Sequence, residues 1–101
     1  MRDLIMQDVY KMSKILKKMG LKFDINDEMS VEQAGVGIIL NVFENLHLAQ
    51  YEVSEFMGDL VGITAKEFDS LPFEEGQKHI EEFKNKPGIV SFFKSAGRLM
   101  K

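Results

Sequence analysis

Leu4, Ile5, Val9, Met12, Ile15, Leu16 and Met19 share one wide face when the chain is wound at about 100° per residue, which predicts an amphipathic helix from the outset. No later segment alternates polar and apolar residues at strand spacing, so the fold must be built by packing helices. Lys11, Lys14, Lys17 and Lys18 lie off the stripe, and Gly20 supplies a C-cap. Asp8 falls inside the stripe, against the pattern. Met6 and Tyr10, one turn apart, lie off the core side as a candidate second apolar patch.

The same periodicity continues. After a polar loop around Asp24–Glu28, Ser30–Gln33 reads as a capping box with Met29 as the staple residue. The helix predicted to follow, to about Leu46, is apolar over most of its circumference and belongs in the centre of the bundle. A third helix, about Ala49–Val61, aligns Val53, Phe56, Met57 and Leu60, and the short link at His47–Leu48 predicts an antiparallel hairpin. Gly62 ends that helix. Thr64–Glu67 is a second capping box opening a short helix through Phe68 to Leu71. Pro72 suits the first turn of a helix over Phe73–Lys84. Pro87-Gly88 then breaks the chain before a last helix whose Ile89, Phe92, Phe93, Ala96, Leu99 and Met100 fall within about 120°. Lys94, Arg98 and Lys101 take its opposite side. The predicted fold class is all-α, a compact single-domain bundle of five to six short helices over residues 1–101.

Composition narrows the function classes. A chain of 101 residues has room for one core, and 45% hydrophobic with 29% charged residues is the balance of a folded domain. With no cysteine there is no disulfide, thiolate zinc site or thiol nucleophile, which fits a reducing compartment. The longest apolar run, Gly35–Leu40, is far short of the ~20 residues of a membrane span, and no signal-peptide core follows Met1; the expectation is a soluble cytoplasmic protein that does not bind membranes. The net charge of −3 is uneven: residues 1–22 and 78–101 carry +4 each, residues 23–77 carry −11. Either the basic ends lie against the acidic middle and neutralise it, or the middle is offered to a basic partner.

Catalysis has little to stand on. Glu75, His79 and Glu82 share a helical face at i, i+4, i+7, but a di-metal bundle needs carboxylates from several helices. His47 sits at a helix end. No Gly-x-Ser-x-Gly elbow exists, and Gly35-Val-Gly37 lacks a phosphate-loop setting. The expectation is a protein that is not an enzyme and holds no metal or cofactor. The Gly58–Leu71 stretch has the small and apolar residues of a helix-turn-helix, yet its second helix carries one base and two acids, so nucleic acid is not the expected partner. Seven methionines suit an adaptable binding surface. The candidate partner-binding residues are Met6, Tyr10, Met57, Phe92, Phe93, Leu99 and Met100, with Met6, Met57, Met100 and the Phe92–Phe93 pair expected to be exposed.

Three strings, Glu55–Thr64 (Glu-Phe-Met-Gly-Asp-Leu-Val-Gly-Ile-Thr), Glu67–Pro72 (Glu-Phe-Asp-Ser-Leu-Pro) and Phe92–Ala96 (Phe-Phe-Lys-Ser-Ala), resemble the tail assembly chaperones of long-tailed phages and prophages of Gram-positive bacteria. The resemblance covers about half the chain. It implies a small helical protein without enzymatic activity that binds the aggregation-prone tape-measure protein in the host cytoplasm and is absent from the finished virion. The tail tube protein is a further candidate partner, and self-association stays open. A longer product made by translational frameshifting is also implied. The alternative from another class is a small helix-turn-helix regulator using the Gly58–Leu71 corner.

Overall fold

A computed structural model describes residues 1–20 and 39–99. The predicted loop at Asp24–Glu28, the capping box at Ser30–Gln33 with Met29, the Gly35 and Gly37 pair and the candidate Met100 lie outside the described residues. The chain is all-α: α1 spans Met6–Lys18, a helical segment covers residues 39–44 (α2), a 3-10 turn covers Leu46–Ala49, and α3 spans Gln50–Val61. Helices α4 (Ala65–Asp69), α5 (Phe73–Lys84) and α6 (Ile89–Leu99) follow. No strand occurs among the described residues. The radius of gyration, 13.1 Å, is about that of a compact 100-residue domain.

Local chemistry accounts for the boundaries. Gly20, Gly62 and Gly88 hold positive φ at 72°, 84° and 79°, the left-handed conformation in which a Cβ is penalised. Gly62 closes α3: the Ile63 N–H reaches back to the Gly58 carbonyl at 2.9 Å. The turn so formed presses on the helix, because a Cβ at Gly58 would stand 2.8 Å from the Ile63 carbonyl oxygen. Thr64 then opens α4 with both bonds of a capping box, each 3.1 Å: the Glu67 N–H donates to Thr64 Oγ1, and the Thr64 N–H donates to the Glu67 carboxylate. Pro72 caps α5, its carbonyl accepting from the Gly76 N–H at 3.0 Å.

Three boundaries differ from expectation, and one is the end of α4, at Asp69 instead of Leu71. The second helix stops at residue 44 instead of running to Leu46, because the Asn45 side chain donates back to the Asn41 carbonyl at 2.7 Å and the chain tightens into the 3-10 turn. Ile5, expected on the core stripe, has extended backbone at the N-cap of α1 and is half exposed.

The core forms where α1 packs across α6 and α3, with α4 folded back on α3 and α5 closing one side. α1 buries Val9, Met12, Ile15 and Leu16, with Met19 just past its end; α3 buries Phe56, Met57 and Leu60; α6 buries Ile89, Phe92, Phe93 and Ala96. Helix α5 fully buries one side chain, Phe83. Phe83 meets Phe56 at 5.5 Å between ring centroids, Phe93 at 5.7 Å and Phe92 at 6.2 Å, all edge-on. Such pairs add about 0.5–1.5 kcal/mol each beyond area burial.

Gly58→Ala is expected to lower stability by about 1–3 kcal/mol, because the new methyl meets backbone that cannot swing aside. Gly76→Ala is expected to raise it by up to about 1 kcal/mol, since α5 has open space there and helical φ. Chemical denaturation of both variants checks the contrast.

Candidate functional site

Three of the four perturbed titratable groups among the described residues, Arg2, Asp8 and Asp59, mark one place, where the N-terminal strap, residues 1–5, crosses α3. Asp8 is 1% exposed, on the core side of α1. Its carboxylate receives both Arg2 guanidinium nitrogens, at 2.7 and 2.8 Å, and the Ile5 N–H at 2.9 Å. Arg2 also reaches Asp59 of α3 at 2.6 Å, and its N–H donates to the Leu60 carbonyl at 3.0 Å. Lys11 meets the same Asp59 at 3.1 Å, and Lys18 pairs with Glu52. Burial pushes the Asp8 carboxyl up, but the Arg2 bonds, the Ile5 N–H and the charges of Arg2 and Lys11 outweigh it and hold it below the usual carboxylate range. Asp59 is held low by Arg2 and then Lys11, Glu52 by Lys18. The Asp8 carboxylate holds the Arg2 guanidinium protonated more firmly than usual, with Asp59 adding to the effect. Every member has a structural partner, so the cluster is a clamp between strap, α1 and α3. It also answers in part how the ends meet the acidic middle: Arg2, Lys11 and Lys18 pair with Asp59 and Glu52 of α3, while Lys14 and Lys17 of α1 and Lys94 and Arg98 of α6 have no ion pair among the described residues.

The other candidate chemistries are not assembled. Among the described residues no three His, Cys, Asp or Glu side chains are placed to hold a metal ion. His47 is exposed, and His79 lies 6.5 Å from the Phe68 ring. An apolar cavity between α1, α2, α3 and α5, lined by Met12, Val42, Phe43, Met57 and Ile80 among others, has about 20 Å³ of free space. That is room for about one water and too little for a cofactor. In the Gly58–Leu71 corner, the second helix is five residues long, Glu67 is engaged in the cap, and Asp69 accepts a hydrogen bond from buried Ser54 of α3. The short approach of Gly58 to the turn explains the glycine as packing.

The partner-binding candidates divide. Met6 and Tyr10 are 62% and 53% exposed on α1, and Leu99 is half exposed where the end of α6 runs past the core. Met57, Phe92 and Phe93, by contrast, are core residues at 3%, 7% and 0% exposure, and the expectation that they are exposed is corrected. The reason is geometric: α1 lies across the apolar stripe of α6, and Phe92 and Phe93 flank Phe83. Periodicity identifies such a stripe but not whether another helix covers it. Two exposed aromatic residues escaped the sequence reading, Tyr51 in the first turn of α3 and Phe73, the first residue of α5 at 80% exposure. Phe73 is seven residues before Ile80, a spacing that signals core; only its place at the helix end leaves it outside.

No protein-family model matches the chain, nor does any curated protein or solved structure.

Removing Arg2 strands the buried Asp8 charge, so Arg2→Met is expected to cost about 2–3 kcal/mol, at the lower end for a buried pair because Arg2 is a third exposed. Asp59→Asn is expected to cost under about 1 kcal/mol. Carboxylates held low when folded take up protons more readily when unfolded. Their stabilisation is therefore present above about pH 4 and lost as pH falls through the lower folded values. Asp8→Asn should flatten that acid limb in denaturation midpoints measured between neutral pH and acid.

Proposed function

We propose that this chain is a non-enzymatic tail assembly chaperone that binds the tape-measure protein of a long-tailed phage or prophage and keeps it soluble until the tail tube encloses it. The observation that carries the reading is exposed apolar surface: Met6, Tyr10, Tyr51, Phe73 and Leu99 are each half or more exposed. Side chains of that kind suit contact with another apolar surface. The resemblance over Glu55–Thr64, Glu67–Pro72 and Phe92–Ala96 supplies the partner. A tape-measure chain is long, amphipathic and helical, and it exposes apolar stripes before it is enclosed. A small domain with a net charge of −3 would cover such stripes and keep the complex soluble. Release demands that each contact be modest and repeated along the partner.

Co-expression with the tape-measure protein of the same genome tests this. The soluble fraction of the tape measure should rise, the two should co-purify in salt, and purified virions should lack the chaperone. A tape measure that stays insoluble with no complex formed would reject the reading; duplex DNA binding with a steep salt dependence would replace it with the regulator.

A further inference from the structure

We draw no further inference here: the strongest candidate, the open groove of about 230 Å³ between α1 and α3 with Lys11 and Lys14 on one bank and Glu52 and Glu55 on the other, carries both signs of charge and so selects no occupant, its Lys11 and Glu52 are already engaged by Asp59 and Lys18, and nothing in the structure shows what covers it.

Discussion

Four phenylalanine rings hold this fold together. Phe56 from α3, Phe83 from α5 and Phe92 and Phe93 from α6 meet at centroid distances of 5.5 to 6.2 Å, mostly edge-on. Helix α5 depends on this contact more than any other element, because Phe83 is the one side chain it buries fully. Ile80 adds a partly buried contact on the same side, while six of the twelve residues of α5 are charged. α1 then covers the other side of α6, which is how the stripe carrying Phe92 and Phe93 becomes interior on both flanks.

The second constraint is electrostatic. Asp8 interrupts the apolar stripe of α1, and a lone carboxylate there would be costly to bury. The strap before α1 resolves this by bringing Arg2 to it in a bidentate pair while the Ile5 N–H satisfies a remaining lone pair. Arg2 simultaneously grips Asp59 and the Leu60 carbonyl, so one side chain and its own backbone fix strap, α1 and α3 relative to each other. The stripe's one flaw in the sequence is therefore a docking point in the structure.

The strings Glu55–Thr64, Glu67–Pro72 and Phe92–Ala96 take on a physical meaning in this setting. Gly58, Gly62, Thr64 and Glu67 make the α3–α4 corner, and Phe92 and Phe93 fill the core. These residues build the fold. The exposed apolar side chains Met6 and Tyr10 lie outside those strings.

The amino-acid sequence by itself determined the helical class and most helix ends. Glycine's access to positive φ at positions 20, 62 and 88, the Thr64–Glu67 reciprocal cap and the proline at 72 act over a few residues and are legible locally. Asn45 ended α2 earlier than expected because a side-chain bond to Asn41 competed with the ladder, a local effect that periodicity does not register. Burial was decided by tertiary structure. Phe73 and Phe92 carry similar periodic signals, yet one is 80% exposed and the other 7%, because only the second lies where α1, α3 and α5 converge. A hydrophobic stripe states that a surface must be covered; which helix covers it, and which apolar residues are left for a partner, follows only when all the helices compete for the same core.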